Sequence, residues 1–493
     1  MRHLRPLSLL VLLLLPGRLP AVGFSPAAPA APPAAPAPAL GHWEGAIQLP
    51  TGELQVKVDL LQESAGAFKG TIDIPQQGAK GLPLAGIAVP AGVDGKVRFA
   101  IQGIPGAPTF DGALAAGEIK GTFTQGGQSF PFRLGRDAVK MAPPTPHPQE
   151  PKPPFPYTAE EVRYEANGVK LAGTLTLPPG AGPFPAVLLL TGSGPENRDE
   201  EVFGHKPFLV IADHLTRAGI AVLRVDDRGV GGSTGNVATS TTADFADDAL
   251  AGVRFLKAHP RIAPGRIGLL GHSEGGVIAP LAASRSKEVA FVVLLAGTGV
   301  PGSEILLDQG ARIARAEGAP EEKIKTGVAD QKRIFDLMRT EKDPVALRAK
   351  LRDAVRAQIA GLPEPERKAI PDFYVDQQVD QVLSPWFRFF LTYDPRPALT
   401  QVKVPVLALN GERDLQVDPG LNLPEIEKAL KTAKNQDVTV RRLPGLNHLF
   451  QHAKTGALSE YAKSEETISP EVLDIVTKWI LDRFGKPAGP PRA

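Results

Sequence analysis

Hydrophobic and polar positions follow three successive patterns along the chain. An unbroken apolar run, Leu7 to Leu15, comes first, behind Met1-Arg2-His3-Leu4-Arg5. Short alternating segments come next, such as Glu53-Leu54-Gln55-Val56-Lys57-Val58-Asp59-Leu60, Lys96-Val97-Arg98-Phe99-Ala100-Ile101 and Gly117-Glu118-Ile119-Lys120-Gly121-Thr122-Phe123. Period-two alternation broken by glycine turns predicts a small all-β unit, a barrel or sandwich of about eight strands. From Tyr157 onward, apolar runs alternate with amphipathic stretches. Strands are expected at Pro185–Leu190, Ile220–Val225, Arg266–Leu270, Phe291–Ala296, Val404–Leu409 and Val438–Leu443. Helices are expected at Pro207–Arg217, at Ala243–Ala258 with Phe245, Ala249, Val253 and Phe255 near one face, and from about Pro470 to Phe484. This rhythm predicts an α/β domain, a mostly parallel sheet with helices on both faces.

Composition divides the chain further. Residues 1–23 have basic residues, a short apolar core and then the small residues Ala21 and Gly23, the pattern of a secretory signal peptide; the run is short for a bilayer span. The expectation is an exported protein, periplasmic or secreted, with no stable membrane anchor. Residues 24–40 are almost all Pro and Ala, and 137–156 are again rich in Pro; both read as extended linkers. The β unit then occupies 41–136 and the α/β domain 157–486. Within the latter, about 302–397 is helical and charged, and is too long to be a loop, so a helical cap is expected there. It ends in Trp386-Phe387-Arg388-Phe389-Phe390-Leu391-Thr392-Tyr393, aromatics that either pack the cap onto the sheet or line an acyl pocket. The β unit carries no ligand motif and reads as a structural or spacing module. Net charge is +2, from 55 basic and 53 acidic residues mixed along the chain, which gives no nucleic-acid footprint. The chain has no cysteine, which excludes a thiol nucleophile, a thiolate metal site, disulfides and a lipid linked through cysteine. No pattern marks an oligomeric state.

The candidate chemistry centres on Gly271-His272-Ser273-Glu274-Gly275-Gly276. An apolar strand, G-x-S-x-G and a helix in that order form a nucleophile elbow, a sharp turn that lifts a serine hydroxyl above the sheet. A serine needs a base to take its proton and an acid to orient that base. Where a serine stands on such a turn, the acid follows it in the chain and the histidine follows the acid. Asp414 lies just past the strand ending Leu407-Ala408-Leu409, and His448 just past the strand ending at Leu443. Glu412 and His452 are the competing assignments. His272 is expected to point away from Ser273, in a packing or hydrogen-bonding role. An acyl-transfer oxyanion also needs donors. The backbone N–H of Glu274 is one; Thr191-Gly192-Ser193-Gly194-Pro195 offers the other, first at Ser193 and next at Gly194. No G-K-[ST] follows that loop, so it is no phosphate cradle. In Asp226-Asp227-Arg228-Gly229-Val230-Gly231-Gly232-Ser233, Arg228 and a neighbouring aspartate are expected to brace loops near the nucleophile. Asn197-Arg198-Asp199-Glu200 either contacts substrate or caps its loop. No metal or cofactor motif is present.

With these motifs, about Val162 to Phe484 resembles the α/β-hydrolase superfamily. It is most similar to exported bacterial serine esterases and to relatives of serine aminopeptidases and prolyl oligopeptidases. The matching pieces are residues 191–195, 226–231, 271–276, 410–414 and 445–448. The resemblance implies an α/β-hydrolase fold and a catalytic triad of Ser273, Asp414 and His448. Many relatives have His-Gly in the oxyanion loop where this chain has Thr191-Gly192. The β unit resembles leader domains of such enzymes and is too short for a propeller. The expected activity is hydrolysis of small carboxylic esters through an acyl-enzyme. The alternatives are a serine peptidase or amidase with the same triad, and a non-catalytic binder on the same scaffold.

Overall fold

The fold is that of a computed structural model describing residues 39–485, except 50–51, 64–66, 75–78, 91–93, 103–107, 126–127, 137–146, 362–363, 365–366 and 368–371. The expected leader, nearly all of the first linker and the first half of the second lie outside the described residues. The chain divides into two compact units. One holds the β unit together with 348–379, and the other holds 146–347 and 380–493.

The alternating segments form eight antiparallel strands: β1 Gly41–Leu49, β2 Gly52–Gln62, β3 Phe68–Ile74, β4 Ala79–Ala88, β5 Gly95–Ile101, β6 Thr109–Ala115, β7 Glu118–Gln125 and β8 Gln128–Gly135. Each pairs with the next, and β1 pairs with β8 through Gly45↔Leu134, which closes a barrel. Inward positions carry Trp43, Val58, Ile72, Phe99, Phe110, Phe123 and Phe132, all buried. Phe110 stacks on Phe99 with ring centres 4.7 Å apart and meets Phe132 edge-on at 4.9 Å. The Trp43 indole N–H donates to the Ala39 carbonyl at 2.8 Å, so the polar tip of the largest core side chain is satisfied.

The second unit is built on an eight-stranded sheet: β9 Thr158–Ala166, β10 Val169–Leu177, β11 Phe184–Leu190, β12 Ala221–Val225, β13 Ile262–His272, β14 Phe291–Leu295, β15 Val406–Gly411 and β16 Val438–Leu443. Their order is β16-β15-β14-β13-β11-β12-β10-β9. From β12 to β16 every pairing is parallel; β10 runs antiparallel to both β9 and β12. Side chains alternate between the faces. In β11, Ala186, Leu188 and Leu190 join one core while Val187 and Leu189 join the other. The first core is covered by α2 Thr242–Ala258, α3 Gly275–Arg285 and α10 Pro419–Thr432. The second is covered by α1 Pro207–Arg217 and α12 Pro470–Phe484. The buried stripe of α2 runs through Ala246, Ala249, Val253 and Leu256, so Phe245 and Phe255 pack only at its margin. The expected α/β architecture is therefore present, with an antiparallel β9–β10 hairpin added at one edge.

The excursion between β14 and β15 is helical: α4 Gly302–Ala316, α5 Glu321–Thr340, α6 Pro344–Ala360, α7 Asp372–Val382, α8 Pro385–Thr392 and α9 Arg396–Leu399. Of these, α4, α5, α8 and α9 fall in the α/β unit. Among the described residues no helix is long and apolar enough to cross a membrane.

Candidate active site

The site lies where β11, β13, β15 and β16 end, the edge at which open parallel sheets place their ligands. β13 ends at His272, and Ser273 adopts φ +55°, a left-handed value uncommon for a residue with a side chain. Its backbone N–H bonds to the Leu295 carbonyl at 2.9 Å, and its own carbonyl accepts from Gly276 N–H at 2.9 Å. The turn is thus tied to the next strand and to the first turn of α3. Two glycines make it possible. A Cβ on Gly271 would overlap the Gly275 carbonyl, and one on Gly275 would overlap the Leu190 carbonyl. The positive end of α3 points at this turn. Ser273 is half-buried, whereas Glu274 is buried.

Asp414 and His448 arrive on separate loops. Asp414 follows β15, and its Oδ1 accepts backbone N–H bonds from Gln416 and Val417 at 2.8 and 2.9 Å. His448 follows β16, and its Nδ1 meets Asp414 Oδ2 at 2.8 Å. Both residues are 1% exposed, so this hydrogen bond is shielded from water. With the carboxylate accepting at Nδ1, His448 keeps Nε2 as the nitrogen that can take a proton. The competing residues lie elsewhere. Glu412 is exposed and accepts from Gly445 N–H at 3.2 Å, and His452 is exposed and paired with Glu466 at 2.9 Å.

The Gly192 backbone lies against the serine; a Cβ there would stand 3.5 Å from Ser273 Cβ. Gly192 N–H donates to Glu200 Oε1 at 2.7 Å and so faces away from any substrate. Ser193 itself is buried and its hydroxyl bonds to the Glu274 carboxylate.

Asp226, Asp227 and Arg228 serve as braces, though not as one unit. Asp227 accepts from the Thr191 hydroxyl at 2.8 Å and from Glu196 N–H at 2.9 Å, holding both ends of the 191–196 loop. Burial pushes its carboxyl well above the ordinary aspartate range, against those two bonds. Asp226 takes Arg198 in a two-pronged pair. Burial works to raise Asp226, but Arg198 and the N–H of Gly232 outweigh it and hold it low. Arg228 reaches Asp248 on α2 through two bonds of 2.7 and 2.8 Å. In the 197–200 segment, Asn197 Oδ1 caps the backbone of Asp199 and Glu201, and Asp199 pairs with Arg224. These four residues are framework.

Two features escaped sequence reasoning. The Trp386 indole N–H, at the start of α8, donates to both oxygens of Glu274 at 2.8 and 2.9 Å, and the Thr242 hydroxyl adds a third bond at 2.7 Å. Burial pushes the Glu274 carboxyl up; Thr242, Trp386 and Ser193 oppose that shift. The helix bearing Trp386 is therefore anchored through a polar bond to the residue next to Ser273. The other feature is a buried contact between His272 Nδ1 and Glu200 Oε1 at 2.9 Å. Nothing local in either segment announces these partners.

Among the described residues, no group of three or more metal-ligating side chains is gathered. Residues 167–434 match the model of the X-Pro dipeptidyl-peptidase (S15) family. Among curated proteins, the chain is similar to Esterase EstD of Thermotoga maritima, 27% identical over 338 residues, covering 66% of this chain and 68% of that protein. Among solved structures, it is similar to an esterase of Pyrococcus furiosus, with 19% identity, 66% of this chain and 91% of that one covered, and TM-score 0.40. It is also similar to Est1E of Butyrivibrio proteoclasticus bound to ferulic acid, with 18% identity, 66% and 100% covered, and TM-score 0.37. The family model spans more than half of the chain, including the elbow and Asp414. The chain belongs to the S15 peptidase family and is a hydrolase of the α/β-hydrolase fold.

Proposed function

We propose that the protein hydrolyses carboxylic esters through an acyl-enzyme formed on Ser273. The carrying observation is the shielded 2.8 Å bond between His448 Nδ1 and Asp414 Oδ2, at the same sheet edge as a serine held on a strained elbow. In the mechanism, His448 Nε2 takes the Ser273 proton as Oγ attacks the ester carbonyl. Asp414 holds the ring in the right tautomer and stabilises the imidazolium that forms. The N–H groups of Ser193 and Glu274 receive the oxyanion. Collapse expels the alcohol, which takes the proton from His448. Water then repeats the sequence on the acyl-enzyme and releases the acid.

The family's peptidase description supports a second reading, cleavage of X-Pro peptides with the same three residues. Removing a dipeptide from a free amino terminus calls for carboxylates able to hold an ammonium group. Three carboxylates around this elbow are already engaged: Glu274 by Trp386 and Thr242, Glu200 by Gly192 and His272, Asp227 by Thr191 and Glu196. This favours the ester. The same reading takes the enzyme as exported by residues 1–23 and its substrate as a small acyl ester.

Ser273→Ala removes the nucleophile and leaves the fold. It is expected to abolish turnover of p-nitrophenyl acetate and labelling by a fluorophosphonate. Full activity in that variant overturns the proposal. A higher kcat/KM on an X-Pro anilide than on the acetate replaces the ester reading with the peptidase one.

A further inference from the structure

His272 stands between the two loops that complete the site. Its Nδ1 lies 2.9 Å from Glu200 Oε1, and its Nε2 lies 2.9 Å from the backbone oxygen of His448. Its ring centre is 4.8 Å from that of His448. The same Oε1 of Glu200 accepts the Gly192 N–H at 2.7 Å. Both side chains are buried, 6% and 2% exposed. Glu200 adopts φ +51°, so the backbone bears a strained conformation where this carboxylate is delivered.

The partner of Nε2 fixes one proton of the ring. A peptide carbonyl only accepts, so His272 Nε2 carries a proton. Glu200 Oε1 accepts from Gly192 N–H and shares a proton with His272 Nδ1. The result is a buried histidine–carboxylate pair. One partner removed would leave the other uncompensated, and a hydrophobic pair would cost less to bury, so such a pair points to a positional role.

We propose that Glu200 and His272 form a second histidine–carboxylate pair that positions both halves of the site. Oε1 of Glu200 fixes the Thr191–Gly192 peptide plane and so the start of the loop that carries Ser193 N–H toward the oxyanion. Nε2–H of His272 pins the backbone of His448 and so the height of its ring above Ser273. His272 acts as a support packed against the His448 ring, and Glu200 acts through Gly192 and His272. The inference rests on the reading of Ser273 as nucleophile and His448 as base. Loss of the pair misplaces groups by a fraction of an ångström to an ångström, a displacement that costs on the order of a hundredfold in rate.

The test uses the whole protein. Glu200→Ala and His272→Ala are expected to lower kcat for p-nitrophenyl acetate about a hundredfold with KM changed less than about threefold. Glu200→Gln keeps an oxygen that accepts from Gly192 N–H and an amide that can bond His272 Nδ1, and is expected to recover most of the lost rate. Nitrogen-15 NMR of the ring is expected to show His272 holding a proton on Nε2 at about pH 8. The inference is overturned by an unprotonated Nε2, by wild-type acylation rates in both alanine variants, or by a Glu200→Gln enzyme as slow as Glu200→Ala. If an alanine variant does not fold, the Gln variant and the ring spectrum still decide. Failure of the serine reading is separate: it appears as an active Ser273→Ala enzyme, and the ring spectrum is unaffected by it.

Discussion

Trp386→Phe tests whether the cap helix is held by one polar bond. The indole N–H reaches both oxygens of a carboxylate that is 2% exposed, and Trp386 itself is 5% exposed. Phenylalanine keeps the stack on Phe390, whose ring lies 5.4 Å away, but has no N–H. A hydrogen bond to a charged group contributes about 1.5–3 kcal/mol. Replacing the indole by the smaller ring adds a packing loss of about 1 kcal/mol. The variant should therefore unfold about 3 kcal/mol more easily. The two parts separate in a cycle with Glu274→Leu, where the coupling energy should be about 1.5–3 kcal/mol. Urea unfolding followed by far-ultraviolet circular dichroism measures all four proteins without depending on Trp386 as a reporter. The sign with pH also follows. Burial raises the Glu274 carboxyl, so the folded state keeps a proton that the unfolded state has released. Its contribution to stability falls as pH rises from the ordinary glutamate range to the raised value. Loss of the Trp386 donor should push that value higher and extend the decline. A coupling below about 0.5 kcal/mol would refute the reasoning, because it would mean that the carboxylate is satisfied without the indole.

Two other outcomes are expected. His205 is buried, and burial lowers its pKa from 6.5 to about 4, with His147 stacked on it at 3.8 Å; its contribution is complete above about pH 6.5 and is lost as pH falls toward 4, a change of about 3 kcal/mol that pH-dependent unfolding should show and His205→Asn should flatten. Asp414→Asn should leave the fold but let His448 Nδ1 serve as acceptor, the wrong tautomer, and lower kcat by roughly ten-thousandfold; retention of more than a tenth of the rate would remove Asp414 from the triad.

How much of this was legible depends on how far apart in the chain the causes lie. The elbow was legible because its whole cause is local: an apolar strand, glycines where a Cβ would overlap backbone, and a helix start within six residues. Most strands of the parallel sheet were legible for the same reason, since both of their faces are buried and they read as apolar runs. The β9–β10 hairpin was not. β9 is an edge strand whose side chains are largely exposed, so Glu160, Glu161, Arg163 and Glu165 make it read like a polar connector. Barrel closure was likewise hidden, because β1 meets β8 across nearly the full length of the domain.

Within the site, the difference between legible and hidden residues is chemical as well as topological. Ser273, Asp414 and His448 announce themselves because each stands just past a strand end, and strand ends can be read one at a time. Glu200, Thr242 and Trp386 act only through partners: Glu200 is 72 residues from His272, Trp386 is 112 from Glu274, and Thr242 is 32 from it. A carboxylate beside a serine elbow looks like substrate chemistry until its donors are seen. Here those donors are a cap indole, a helix-start hydroxyl and a loop hydroxyl, so the carboxyl of Glu274 joins three segments around Ser273. The same holds for His272, whose place beside the serine suggests a base but whose two nitrogens are both occupied. On the proposed mechanism the Ser273 proton therefore goes to His448, whose Nδ1 is bound to Asp414.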